Sequence, residues 1–165
     1  MIAVSNTTPL RYLIAIDQHH LLGQLFETVI VPAAVHEELT EARTPENVRL
    51  SVLSLPAWYE VRSVPEIHET TFPVALHRGE REAILLAELL RPDVILIDEQ
   101  IGRTIASSRN LPVSGTLGIL ERADVLGFIR DFPQILKHLK ASGFYIAESL
   151  EQQLLQRHCN RQETK

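Results

Sequence analysis

The chain has 165 residues, with 16 Lys and Arg against 21 Asp and Glu, which gives a formal net charge of −5 at pH 7. Apolar residues make up 45% and charged residues 22% of the chain, a composition typical of globular domains that excludes a disordered chain. At this length we expect one domain, since domains cluster near roughly 100–150 residues. The single cysteine, Cys159, excludes an intrachain disulfide. The net acidity argues against broad, nonspecific coating of DNA.

The sequence contains no uncharged apolar run of about 18 residues, the length that a membrane-spanning helix needs. Its first cationic side chain is Arg11, so no basic segment precedes the first apolar run and we expect no secretory signal. These patterns predict a cytoplasmic protein with no membrane partner.

The first half of the chain alternates short apolar or β-branched runs with helical segments. Residues 1–5 form an apolar run typical of a buried strand, and we expect Thr8 to cap a helix with Pro9 at its first position. The later elements are predicted in chain order: a helix at 21–26, a strand at 28–31, a helix through Val35 and Leu39, a helix carrying Val48 to Leu53, a short strand at 58–61 and a loop at 63–76.

The second half begins with an amphipathic helix at 79–90, followed by a buried strand at 93–97. Its other predicted elements are a helix to Arg109, a short strand at 111–113, helices at 116–126, 131–141 and 146–157, and frayed residues at 160–165. Strands that alternate with helices indicate βαβ units. We therefore predict a three-layer α/β/α fold with a central, mainly parallel sheet and helical C-terminal additions, as one domain at 1–155 with a tail at 156–165.

Polar residues follow two of the predicted strands. Asn6 comes after the first strand, and Asp98 and Glu99 come after the strand at 93–97. Ligands of open parallel sheets bind beyond the carboxyl ends of the strands. Glu38 and Glu80, each beside an apolar helix stripe, complete a candidate cluster. Such oxygen ligands suit Mg²⁺ or Mn²⁺, and a bound metal that activates water would support phosphodiester hydrolysis.

Each of these residues also has a purely structural interpretation. Asn6 could serve only as a turn or cap residue, and Glu38 and Glu80 could be exposed helix charges. Asp98 could cap the next helix, and Glu99 fits the start of that helix, where acidic side chains favour the dipole. The seven histidines lack zinc-site spacing, and neither a nucleophile elbow nor a phosphate-binding loop occurs.

Five ordered segments together resemble the PIN-domain superfamily, in a prokaryotic branch related to VapC-type toxins. The resemblance spans residues 1–155 and is carried by Val4-Ser5-Asn6-Thr7-Thr8-Pro9-Leu10, Val31 to Leu39, Gly79 to Ala87, Leu96 to Arg103 and Gly115-Thr116-Leu117-Gly118. It implies a ribonuclease that depends on Mg²⁺ or Mn²⁺ and has four acidic positions around the metal. By position, those four are Asn6, Glu38, Glu80 and Asp98.

The resemblance also assigns supporting residues. Thr7 or Thr8 matches the hydroxyl that follows the first acid, Arg103 recurs in this branch, and Thr116 lies in the last segment. For contacts with the RNA backbone, the candidate arginines are Arg78, Arg81, Arg103 and Arg109, and such contacts make binding salt-dependent.

One position departs from the family pattern, because Asn6 stands where an Asp is usual. An amide oxygen can still bind a hard cation but brings no charge, and Glu99 could partly compensate. Three hypotheses remain open. The first is a toxin endoribonuclease with RNA as substrate, a small antitoxin protein as partner and a homo-oligomeric state. The second is a catalytically weakened module that binds nucleic acid or protein. The third is an assembly role in which apolar residues of the C-terminal helices form a dimer surface, namely Leu136, Leu139, Ile146, Leu150 and Leu154.

Overall fold

The computed structural model of the chain describes residues 1–54, 56–65 and 72–163. The elements within these ranges are β1 (Ile2–Ser5), α1 (Thr7–Ala15), α2 (His20–Leu25), β2 (Thr28–Pro32), α3 (Ala33–Thr40), α4 (Glu46–Leu53), β3 (Tyr59–Arg62), α5 (Arg78–Leu90), β4 (Val94–Leu96), α6 (Gln100–Ser108), β5 (Val113–Ser114), α7 (Thr116–Val125), α8 (Phe132–Ala141) and α9 (Glu148–Glu163). None of these helices is long and apolar enough to cross a bilayer.

The described strands form one parallel sheet in the order β3-β2-β1-β4-β5. β1 lies in the centre, with Val4 opposite Ile30 of β2 on one side and opposite Ile95 of β4 on the other. The chain builds outward from β1 through β2 and β3 and then returns to the other side of β1 as β4. The gap between the ends of β1 and β4 is therefore the topological switch point, where ligands of such sheets bind.

Each face of the sheet carries its own apolar core. Ala3, Val29 and Leu96 point into the larger core, which also contains apolar residues of α1 to α4 and of α7 to α9. Val4 and Ile95 point to the opposite face and pack against α5 and α6. This alternation is the period-2 pattern of strands covered on both sides. The predicted three-layer α/β/α architecture is confirmed.

The element bounds agree with the sequence patterns to within a few residues, except at the start of α1 and at the end of α9. Helix α1 begins at Thr7 with Asn6 as its N-cap, so the expectation that Thr8 would cap this helix is wrong. Pro9 occupies the third helical position instead of the first, which the first turn of a helix also tolerates. Within the predicted loop at 63–76, residues 66–71 lie outside the described residues.

Helix α9 continues without a break across residue 155 and ends at Glu163, so residues 160–163 are helical where fraying was expected. The buried carboxylate of Asp124 on α7 binds the last turns of α9. Asp124 accepts a hydrogen bond from His158 Nδ1 at 2.9 Å and one from Arg161 Nη2 at 2.5 Å. The ring of His158 also stacks on Phe132, with 5.5 Å between ring centroids.

The leucine-rich C-terminal helices do not present the expected dimer surface. Four of its five proposed residues are buried inside the chain, namely Leu136, Leu139, Ile146 and Leu154. Only Leu150 of the set is exposed. The four buried side chains form part of the domain core, so the assembly hypothesis loses the observation on which it was based.

Candidate functional site

A cleft of about 600 Å³ opens beyond the carboxyl ends of the strands, at the switch point between β1 and β4. Its lining comes from the start of α1, the end of α3, the loop before α4, the start of α5 and the residue before α6. The lining residues are Asn6, Thr7, Thr8, Arg11, Glu38, Leu39, Glu41, Arg43, Thr44, Pro45, His77, Arg78, Glu80 and Glu99. Three of the four predicted site residues, Asn6, Glu38 and Glu80, therefore share one cleft.

Asn6 is the most buried polar residue of this lining, with 2% of its surface exposed. Its backbone N–H donates to Leu96 O at 3.1 Å, which ties the end of β1 to the end of β4. Its side-chain Nδ2 donates to Glu99 Oε2 at 2.8 Å, whereas its buried Oδ1 has no hydrogen-bond partner among the described residues. An N-cap oxygen normally accepts the N–H of the second or third helical residue. Here the third residue is Pro9, which has no N–H, and no cap bond forms.

Glu38 reaches the cleft from the last turn of α3. Its Oε2 accepts a hydrogen bond from Thr7 Oγ1 at 2.5 Å, so the carboxylate is linked to the first turn of α1. The start of α5 packs closely beside it, because a Cβ added at Gly79 would lie 3.1 Å from Glu38 Oε1. A glycine at this position thus allows α3 and α5 to approach each other where their acidic residues meet.

Glu80 is a buried carboxylate in the first turn of α5, with 7% of its surface exposed. Its Oε2 accepts the backbone N–H of His77 at 2.9 Å, so it helps to begin the helix as well as lining the cleft. Burial raises the pKa of Glu80 above its ordinary value, and the neighbouring charges of Glu99 and Glu38 raise it further against the opposing hydrogen bond. The reading of Glu80 as an exposed helix charge is therefore wrong.

Glu99 is the N-cap residue of α6, as its position after a strand suggested, but its side chain turns toward the end of β1. Its Oε2 accepts from Asn6 Nδ2, and its Oε1 accepts a short hydrogen bond from Thr8 Oγ1. Thr7 and Thr8, the two hydroxyls that follow Asn6, thus each hold one carboxylate of the cleft.

Asp98 lies beside the cleft and is not part of its lining. Its Oδ1 accepts the backbone N–H of Thr116 at 2.8 Å, and its Oδ2 accepts Thr116 Oγ1 at 2.6 Å. Burial raises the pKa of Asp98, while the two bonds from Thr116 and the charge of Arg103 oppose the rise. A Cβ at Gly115 would lie only 2.5 Å from Asp98 Oδ1, so this packing requires a glycine. Asp98 therefore bonds to the first residue of α7, and not to the start of the next helix in the chain, α6, which was its structural alternative.

Comparison with known proteins identifies the family. The family model described as a PIN domain matches residues 2–160. This chain belongs to the PIN-domain family. PIN domains are generally nucleases and generally use divalent metal ions.

Among solved structures, this PIN domain is similar to a PilT N-terminus domain protein, SSO1118, from the hyperthermophilic archaeon Sulfolobus solfataricus P2. The two share 15% identity and a TM-score of 0.54, over 74% of this chain and 93% of the other. At this identity the likeness concerns the fold alone. No curated protein matches the sequence.

The arginines predicted to contact RNA do not gather at the cleft of this PIN domain. Arg78 lines it, with ion pairs to Glu37 at 3.1 Å and Glu82 at 2.9 Å. Arg81 is exposed on α5 outside the lining, and Arg103 Nη1 donates to Ile97 O at 2.8 Å.

Arg109 packs elsewhere, over the ring of Phe72 at 4.2 Å and against Glu88 at 2.7 Å. Three basic residues that the sequence reasoning missed line the cleft instead: Arg11, Arg43 and His77. Arg11 could have been found, because it follows Thr7 by four residues and so lies on the same face of α1.

The donor set of the cleft fits a hard divalent cation such as the family uses. Within the described ranges, no three His, Cys, Asp or Glu side chains converge closely enough to hold a metal ion by themselves. The unpartnered Oδ1 of Asn6 is an additional oxygen donor, buried next to the carboxylate of Glu99. Amide and carboxylate oxygens are the ligands that Mg²⁺ and Mn²⁺ prefer.

Proposed function

We propose that this PIN domain is an endoribonuclease that depends on Mg²⁺ or Mn²⁺ and hydrolyses RNA phosphodiester bonds. The observation that carries the proposal is the buried, unpartnered amide oxygen of Asn6 in a cleft with two further family positions, Glu38 and Glu80. A polar atom buried without a partner is costly, and a bound cation would satisfy it. The same cation would neutralise the carboxylate of Glu80, whose pKa is raised first by burial and further by the charges of Glu99 and Glu38.

In this proposal Asn6, Glu38 and Glu80 hold the cation, and Asp98 has a positioning role from outside the cleft lining. When bound, the metal would lower the pKa of a coordinated water and stabilise the charge that develops on the phosphate. The hydroxyls of Thr7 and Thr8 hold carboxylates in place. Asp98 fixes the start of α7 through Thr116 and so acts as a positioning residue.

The substrate-binding part of the proposal rests on the basic residues at the cleft rim. Arg11, Arg43 and Arg78 come from three different segments and line the same opening as the acidic residues. Guanidinium groups suit phosphate because their planar donors match its oxygens. Arg43 and Arg78 are paired with exposed carboxylates, and phosphates would compete with those carboxylates for the guanidinium groups. We accordingly expect RNA binding to weaken as salt rises.

The biological setting is a further part of the proposal, drawn from the resemblance to VapC-type toxins. We infer that the protein acts in the cytoplasm as the toxin of a toxin–antitoxin pair, with a small antitoxin protein as partner and a homo-oligomeric state. Expression alone is then expected to arrest growth, and co-expression of a small protein encoded next to it is expected to restore growth. Growth that is unaffected by active protein would contradict the toxin role without affecting the nuclease chemistry.

The alternative is a weakened PIN domain that binds nucleic acid or protein without cleaving it. The neutral side chain of Asn6 favours this alternative, because it removes one of four family charges from the site. Asp98 favours the same alternative, because both of its carboxylate oxygens already accept hydrogen bonds from Thr116. This binding module would keep the basic rim and lose metal-dependent turnover.

Cleavage of a structured RNA in Mn²⁺, in Mg²⁺ and in EDTA separates the two functions. We expect wild-type protein to cleave with either metal and not in EDTA, and Glu80→Gln to lose the activity. Glu151→Gln is the matched control, because it removes a half-buried carboxylate of α9 outside the cleft lining, whose ion-pair partner among the described residues is Lys140 at 2.6 Å. RNA that is retained by wild-type protein but left intact in every metal would favour the binding module.

A further inference from the structure

The departure at Asn6 is matched by a contact that links two distant parts of the sequence. Asn6 Nδ2 donates to Glu99 Oε2 at 2.8 Å, although 93 positions separate the two residues. Glu99 also accepts from Thr8 Oγ1, so both its oxygens receive hydrogen bonds from the start of α1. The carboxylate is therefore held at the end of β1, next to the position where the family usually has an aspartate.

We propose that Asn6 and Glu99 act as one ligand unit for the divalent cation, in which Asn6 supplies a neutral oxygen and Glu99 supplies the missing charge. The inference rests on the metal dependence proposed above and adds Glu99 to the metal site. It also assigns a role to the amide of Asn6 that a carboxylate at that position could not fill.

The hydrogen-bond polarity explains why an amide suits this position. A side-chain amide has donors on its nitrogen and acceptor sites on its oxygen. Because Nδ2 of Asn6 donates to Glu99, its Oδ1 is left without a partner; Pro9 offers no N–H at the third helical position, and no cap bond forms with the first turn of α1. An aspartate beside Glu99 would instead place two carboxylates in contact, which disfavours ionisation of both. The pair thus keeps one negative charge and one free oxygen where the family keeps one aspartate.

A double-mutant cycle on Mn²⁺ binding tests the unit directly. Titration calorimetry with MnCl₂ at pH 7 would compare the full-length wild type, Glu99→Gln, Asn6→Asp and the double variant Asn6→Asp/Glu99→Gln. Glu99→Gln should weaken Mn²⁺ binding by at least about tenfold, since even the loss of an outer-shell partner costs about 10–100-fold. In the Asn6→Asp background the same change should cost less than about threefold, because an aspartate then supplies the charge and the glutamine supplies the donor.

Folding is monitored by circular dichroism on every variant, and Glu151→Gln serves as the control that should bind Mn²⁺ like wild type. Both single variants and the double variant keep a donor–acceptor pair or a similar side-chain volume. If Glu99→Gln is nevertheless unfolded, Glu99→Ala takes its place in the cycle, since alanine also removes the charge and the same loss of coupling in the Asn6→Asp background is expected.

Two results overturn the inference: Glu99→Gln that binds Mn²⁺ as tightly as wild type, or an equal loss of affinity in both backgrounds. Wild-type protein that does not bind Mn²⁺ overturns both the inference and the metal-dependent nuclease. Coupled Mn²⁺ binding without RNA cleavage supports the ligand unit and refutes only the nuclease, so the two failures are distinguishable.

Discussion

The hydroxyl of Thr116 should stabilise the ionised form of Asp98, and replacing Thr116 with valine removes that hydroxyl at nearly constant volume. Thr116 is fully buried, and its Oγ1 donates to Asp98 Oδ2 at 2.6 Å. A hydrogen bond to a charged group contributes about 1.5–3 kcal/mol. Asp98 keeps the backbone N–H of Thr116 and is partly open to water, so we expect the lower half of that range at pH 7, about 1.5–2 kcal/mol.

The loss should depend on pH, and its sign follows from the pKa of Asp98. Burial raises this pKa above its ordinary value of 3.8, and the bonds from Thr116 limit the rise. A carboxyl whose pKa is raised by folding contributes stability below its unfolded pKa and loses that contribution as pH rises through its folded pKa. Thr116→Val removes an opposing bond and raises the pKa of Asp98 further. The variant should therefore lose more stability than wild type as pH increases from about 4 to 8.

Urea unfolding of metal-free wild type and Thr116→Val at several pH values in this range measures the difference. Thr104→Val is the control, because Thr104 is exposed on α6 and its hydroxyl donates to the neutral carbonyl of Gln100. We expect the control to change the free energy of unfolding by less than about 0.5 kcal/mol at every pH. A Thr116→Val loss that is the same at all pH values would refute the proposed link to the ionisation of Asp98.

Three further predictions concern the surroundings of the cleft and the last helix. Gly115→Ala should lower the free energy of unfolding by about 1–3 kcal/mol in urea, because its Cβ would meet Asp98 Oδ1 at 2.5 Å; an unchanged midpoint would contradict this packing. Asp124→Ala should cost about 3 kcal/mol in thermal unfolding, since it leaves two basic side chains of α9 without their buried partner; a cost below about 1 kcal/mol would argue against this role. The raised pKa of Glu80 predicts that metal-free protein loses stability as pH rises through the folded pKa, and that Mn²⁺ at 100 times its Kd restores about 2.7 kcal/mol; a melting temperature that ignores Mn²⁺ would contradict this.

The sequence was sufficient to predict the layers of the fold because the strands that build the centre are short and continuously apolar. The runs at 28–31 and 93–97 correspond to β2 and β4, and the stripe at 79–90 corresponds to α5, which begins one residue earlier at Arg78. Burial on both faces of the sheet produces this signal without any knowledge of the partners. The start of α1 was misplaced because proline is tolerated throughout the first helical turn, so Pro9 alone does not fix the N-cap.

The contacts within the site were not predictable, because they join residues that are distant in sequence. Whether Glu99 turns toward Asn6 or toward solvent depends on a hydrogen bond between residues that lie 93 positions apart. The orientation of Asp98 likewise depends on its bonds to Thr116, which lies 18 positions away. Which basic residues line the cleft was unpredictable for a related reason. Arg109, one of the four candidates, lies at the end of α6 and pairs with Glu88 on α5.

These contacts change how the substitution at Asn6 should be weighed. Counted along the sequence, an asparagine at the first acidic position removes one of four charges, which favours a weakened domain. Counted in space, Asp98 is directed to Thr116, but Glu99 takes its place in the cleft lining beside Glu38, Glu80 and the free oxygen of Asn6, so the lining still has three carboxylates. Affinity for a divalent cation depends on the charges and oxygens that surround the ion and on how rigidly they are held, whichever strand supplies them. The asparagine is therefore compatible with an active metal site, provided that Glu99 stays paired with it.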